Sequence, residues 1–342
     1  MHHHSYKYYL DLLDTKPRFS ILEKAVLSII GFFLISIGFF TALFYYQYQK
    51  EAPVRTQAAY LEIATNGYNS AKESQEELLS SFKVAGTKTQ FGQTVKGATE
   101  SSNLYSSSLD DVNRLLAKTA STRQTILSQK KQLEKTVKPA IFTGLNKELV
   151  DYYQKSATIL DKIEKEEKFA KDVLIALGPD FYLPKLTDES LWQTGKNKEI
   201  IAYYDNLKNS ANASLAAISH LSPPADFKTY VTDQVAYFEL LTKTADSVTN
   251  ILKEQEKLKE ENTQIEKAYQ VLNLAKNENE KLSTKLLASR SRLLDFKRNL
   301  ESFAEVRLTQ NSLEGKLADA AARQPQPKSF PFSKFLGGLQ IL

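Results

Sequence analysis

From Ala25 to Tyr46 the chain reads AVLSIIGFFLISIGFFTALFYY, 22 residues without a charge. At about 1.5 Å rise per residue, one helix of this length spans the roughly 30 Å hydrocarbon core of a bilayer. A buried core helix rarely runs so far without a charged residue. A cleaved signal peptide has a shorter apolar stretch and a small-x-small cleavage site, and the following TALFYYQYQ offers none. The segment therefore reads as a retained anchor, residues 25–46, behind a short tail of residues 1–24. Ser20 followed by Glu23 matches a capping box opening the helix. Tyr45, Tyr46 and Tyr48 stand where an interfacial aromatic belt is expected. Gly31 and Gly38 are seven apart, which is not the GxxxG spacing of packed membrane helices.

Orientation follows from the basic residues. Lys7, Lys16, Arg18 and Lys24 precede the apolar run, whereas only Lys50 and Arg55 fall just beyond it. The bias places the N-terminus in the cytoplasm and the bulk of the chain outside. His2, His3 and His4 are either native or a tag remnant, and a lone triple His binds metal only weakly, so they carry no weight.

Beyond the anchor the vocabulary is helical, dominated by Lys, Glu, Leu, Ala, Ser and Gln, with 12 Gly and 10 Pro in 342 residues. Residues 51–323 carry successive seven-residue patterns. The first stripe is Leu61, Ala64, Tyr68, Ala71, Leu78 and Phe82, ending near Gly86. The second is Leu109, Val112, Leu116, Ile126, Leu133 and Val137, ended by Pro139 and Gly144. The third runs through Leu149, Leu160, Ile163, Phe169 and Val173 to a stop at Gly178-Pro179. Glu164–Lys168 and Glu167–Lys171 read as i,i+4 pairs on its exposed face. After the irregular stretch 178–196, where Thr187 is a candidate cap, a fourth helix runs from Asn197 to Leu221, and Ser222-Pro223-Pro224 turns the chain. The fifth carries Phe227, Val231, Phe238, Leu241, Ala245, Val248 and Leu252, continuing through Leu258, Ile265 and Leu272. The sixth carries Leu282, Leu286, Leu293, Phe296, Leu300 and Phe303. Residues 276–281, KNENEK, contain neither Gly nor Pro; a hairpin there is preferred over one continuous helix, whose apolar stripe would lie uncovered. The expected fold is all-α: an N-terminal single transmembrane helix followed by an elongated antiparallel helical bundle or coiled-coil domain, with possible halves 51–177 and 197–323. An even helix count returns the C-terminus towards the membrane.

Chemistry is sparse. The chain has no cysteine, which removes disulfides, thiolate zinc sites and thiol nucleophiles. No P-loop, GxGxxG, HExxH or GxSxG motif occurs. His220, the one histidine outside the N-terminal run, sits at a helix C-terminus, where a cation is favourable. The acid pairs Glu76-Glu77, Asp110-Asp111 and Glu166-Glu167 read as solvated faces, and Ser106 to Ser108 as polar helix surface. With 45 basic and 40 acidic residues interleaved, the net charge of +5 makes no stripe for nucleic acid. No catalytic residue, cofactor or metal is expected, and no small-molecule substrate is identified.

Candidate interaction residues are Phe181, Tyr182 and Trp192 in the 178–196 stretch, as a plug on one bundle end or a contact surface, and Phe330, Phe332, Phe335 and Leu336 in the apolar tail. That tail follows the Pro-containing linker Gln324-Pro325-Gln326-Pro327, within residues 324–342, and reads either as packed on its own bundle or disordered, or as a docking segment for a partner or the bilayer surface. Gln255 and Asn262 are polar residues on the helical seam, read either as a device for setting register or oligomer state or as a wet, exposed stretch. The sequence thus points to a membrane-anchored extracytoplasmic scaffold or spacer of the cell envelope. Its partners are the lipid bilayer and a protein partner or a second copy through the helical seams. The alternatives are an extracytoplasmic sensor or ligand-binding bundle, and an accessory subunit of an envelope transport or secretion complex.

Overall fold

The computed structural model describes residues 20–88, 98–182, 186, 189–194, 196–258 and 263–325. The helices are α1 (Ile21–Lys88), α2 (Ala98–Lys135), α3 (Thr143–Leu177), α4 (Glu189–Thr194), α5 (Asn197–Ser219), α6 (Lys228–Leu258), α7 (Thr263–Leu293), α8 (Phe296–Ser302) and α9 (Ala304–Ala322). Three short 3-10 turns intervene, and no strand occurs among the described residues. The protein is an all-α helical bundle with one long apolar N-terminal helix. Two units separate: Met1–Tyr60 with Ala322–Leu342, and Leu61–Ala321.

In the first unit the capping box forms in both directions. The Ser20 amide donates to Glu23 Oε2 at 2.7 Å and the Glu23 amide to Ser20 Oγ at 3.2 Å. This satisfies two donors at the start of the apolar segment. Thr41 returns its hydroxyl to the Ile37 carbonyl at 2.7 Å, so this polar side chain is paired within the helix. Glu51 lies inside α1 rather than at a helix start, because Pro53 does not interrupt it. Proline removes the amide that the Gln49 carbonyl would accept. Arg55, two turns further on, donates to the Tyr48 carbonyl, stacks 3.8 Å from the Tyr48 ring centre and pairs with Glu51 at 3.5 Å.

The second unit is built from antiparallel neighbours. Ser74 meets Thr122 and Ser81 meets Lys118, so α1 and α2 run oppositely. Lys130–Gln154 and Arg123–Asp161 do the same for α2 and α3. Asp205–Lys253 and Lys208–Asp246 pair α5 with α6, and α6 packs on α7. Finally Lys316–Glu148 and Lys155–Glu305 lay α9 antiparallel to α3.

The first and third stripes are buried throughout. Elsewhere the sequence reading needs correcting. In α2 the buried row is Ser108, Asp111, Val112, Leu115, Thr119, Thr122, Ile126 and Leu133, so Leu115 replaces Leu116. Small polar side chains share this row, which hid its phase. α2 stops at Lys135, leaving Val137 72% exposed, and Gly144 lies in the first turn of α3. Gly178 closes α3 with φ 53° and ψ −138°, a conformation open to glycine.

Residues 276–281 do not turn but lie within α7. The break falls between Leu258 and Thr263, where no proline or glycine marks it. α7 packs on α6, so its apolar side is covered, but the expected hairpin at 276–281 is not formed. The Asp295 carboxylate then caps α8 through the Lys297 amide at 3.1 Å. Thr187, Asn262 and the tail from residue 326 lie outside the described residues.

Candidate functional site

Three features stand out in the second unit. The first is a polar layer inside the bundle. Tyr152 donates to Gln75 Oε1 at 2.9 Å, and Gln310 Nε2 donates to the same oxygen at 2.6 Å and to the Tyr152 oxygen at 3.0 Å. Tyr68 donates to the Gln310 carbonyl at 2.9 Å. All four residues are buried. Burial pushes the Tyr152 phenol well above its ordinary range, so it remains a donor. Misaligned polar groups here would lose their partners at a cost of about 1–3 kcal/mol each, so the layer sets the register of α9 on α1 and α3. Packing beside it is close at Gly67, where a Cβ would come within 3.0 Å of Gln129 Oε1 and 3.2 Å of the Tyr153 hydroxyl, so both side-chain ends would have to shift slightly.

The second is an acidic cluster between α2 and α3. The pair Glu166-Glu167 is not a solvated face: the two residues are 8% and 3% exposed. Asp111 and Ser108 are buried too, whereas Glu76, Glu77 and Asp110 are exposed as expected. Glu166 is met by Arg298 and by Lys162 at 3.7 Å. Neither oxygen of Glu167 has a hydrogen-bond donor among the described residues. Its carboxyl is pushed up to about 8, first by burial and then by the neighbouring Glu164 and Glu166 charges. The nearby Thr119 hydroxyl opposes this without a well-aligned bond. Glu164 pairs with Arg123 at 3.6 Å, across to α2.

The third is the 178–196 stretch. Phe181 is fully buried; its carbonyl accepts from buried Arg290 at 3.0 Å, and the guanidinium lies 5.5 Å from its ring centre. Asp180 accepts from Ser210 at 2.5 Å and Ser214 at 3.2 Å, binding the turn to α5. Phe181 is thus occupied by the protein's own core. Trp192 is half-buried, edge-to-face with Tyr204 at 6.1 Å and with Tyr269 at 5.5 Å. It lines an open groove of 670 Å³ with Gln193, Ile265, Glu266, Tyr269 and Gln270. The α7 residues of this groove escaped the sequence reading, because α7 was divided at the wrong place. The available signal was Tyr269, an aromatic residue beside Gln270 within α7; it is 41% exposed in the structure.

Gln255 is buried and accepts from Asn197 Nδ2 at 3.0 Å, so this polar seam residue joins α6 to the start of α5. His220 is exposed and caps α5 beside a second groove of 500 Å³, with Lys165, Lys168 and Asp172. Phe330, Phe332, Phe335 and Leu336 are not among the described residues, and nor is the Tyr182 side chain. Among the described residues no group of three or more His, Asp or Glu side chains is placed to hold a metal. No family model, curated protein or solved structure matches the chain.

Proposed function

We propose that the protein is a single-pass membrane scaffold, with its N-terminus in the cytoplasm and its helical bundle outside, serving as a spacer and interaction surface of the cell envelope. The observation that carries this reading is the apolar part of α1. Phe32, Phe33, Ile35, Phe39 and Tyr46 are all more than half exposed, and no part of the most apolar window is buried in the protein. In water such a surface is untenable; in lipid it is the ordinary solution, because the helix satisfies its own backbone. The four-to-two excess of basic residues on the N-terminal side supports the orientation. The bundle's buried polar groups serve register and inter-helix docking, which suits a structural role without catalysis.

Single cysteines in this cysteine-free chain provide the test. With an impermeant maleimide on intact cells, Ser219→Cys labels, and Ser5→Cys labels only after lysis. Recovery of the chain in the aqueous fraction without detergent, or the reverse labelling, would refute the proposal. A ligand-binding bundle is the second reading, favoured by the mixed aromatic and polar groove at Trp192.

A further inference from the structure

We infer that the groove between α4 and α7 is a binding site for a neutral oligosaccharide, with Trp192 as its stacking ring. This goes beyond the scaffold reading and does not depend on it, since the groove lies wholly within the second unit. The 670 Å³ groove falls in the size range of small-molecule sites, about 300–1,000 Å³. Its apolar wall is Trp192, Ile265 and Tyr269; its polar groups are Gln193, Glu266 and Gln270. That mixture suits a pyranose. The electron-rich face of an aromatic ring attracts the polarised C–H groups of one sugar face. Two amides and a carboxylate offer donors and acceptors to ring hydroxyls. Glu266 and Gln270 are four apart on one helix and so present their polar ends together, alongside Tyr269.

The indole is oriented in advance. Edge-to-face contacts with Tyr204 and Tyr269 hold its plane, with interplanar angles of 64° and 68°. Ordering the ring beforehand lowers the entropic cost of binding. The main competitor by chemistry is an organic cation, which also seeks aromatic rings beside a carboxylate. Here the Lys276 ammonium already lies 5.7 Å from the Tyr269 ring centre. A second cation would meet its repulsion, whereas a neutral sugar does not.

Trp192 is the chain's only tryptophan, so its emission reports on the groove alone. The full chain in detergent micelles is titrated with cellotetraose, maltotetraose and chitotetraose, and in parallel with choline chloride. The expected result is a saturable change in emission with at least one tetrasaccharide at up to about 10 mM, an affinity typical of one stacked ring with a few hydrogen bonds. Gln270→Ala weakens it about tenfold, equivalent to one lost hydrogen-bonding group. Glu266→Gln keeps the shape while removing the charge, and retains binding. No saturable change with any sugar overturns the inference, as does a response to choline alone. An identical response in Gln270→Ala and in Tyr269→Ala, each with unchanged circular dichroism, overturns it too, because the change would then arise elsewhere.

Discussion

Two stretches of α1 solve opposite problems with similar residues. Between Ile21 and Tyr48 the large apolar side chains stand exposed all round the helix. Between Leu61 and Phe82 they fall on one stripe, and Leu61, Tyr68, Leu78 and Phe82 are each at most 3% exposed. The first stretch lacks a polar face and so needs an apolar solvent; the second has one and needs only partners. Helix formation therefore says little about α1. The arrangement of polarity around it decides what it must be buried in.

The largest effect should come from charging the first stretch. Phe33→Lys with Ile37→Lys costs about 5–7 kcal/mol of insertion at roughly 3 kcal/mol per central charge, and membrane fractionation should move the chain out of the bilayer. The same two changes should leave the thermal melting of the second unit untouched. A shared loss would mean that the two stretches are not independent. Next in size, Phe82→Ala removes a fully buried ring and should cost about 3–5 kcal/mol in chemical denaturation, with no change in membrane retention.

Glu167 gives the bundle a pH dependence that the apolar stretch lacks. In the folded chain its carboxyl sits near about 8 against an ordinary 4.5, so the folded state holds a proton that the unfolded state releases. Stability should thus fall as pH rises from 4.5 towards 8, and then level off. Measured by urea melts at about pH 5 and about pH 8.5, wild type should lose a few kcal/mol relative to Glu167→Gln. Parallel behaviour of the two proteins would show that Glu167 is not held protonated. A smaller effect, about 1–3 kcal/mol, is expected for Gln310→Ala, which strands Gln75 and Tyr152 within the bundle. The smallest belongs to Lys165→Ala, which removes an exposed pair with Asp161 and should change stability by less than about 0.5 kcal/mol.

Legibility followed the same division. Stripes of large apolar residues are readable in α1 and α3, because most of their buried positions are apolar or aromatic, although Gln75, Ser156, Glu166 and Glu167 are buried among them. In α2 the buried row includes Ser108, Thr119 and Thr122, which composition cannot separate from surface residues. Residues 259–262, between α6 and α7, contain no proline or glycine, whereas KNENEK looks like a break and is helix, since Asn costs a helix only a few tenths of a kcal/mol. The candidate site was half legible: Trp192 was visible as an isolated aromatic, but its neighbours Tyr269 and Gln270 come from a helix whose return path was misjudged.

The residue order alone determined the apolar segment, its capping box at Ser20 and Glu23, the helical class of the whole chain and the stop at Gly178. Each depends on neighbours within a few residues, so spacing suffices to reveal it. Only the tertiary structure decided that α9 docks against α3, that Glu167 is sealed between α2 and α3, and that Trp192 meets Tyr269. Those contacts join positions 48 to over 150 residues apart, and they depend on which face each helix turns inward once all of them compete for one core.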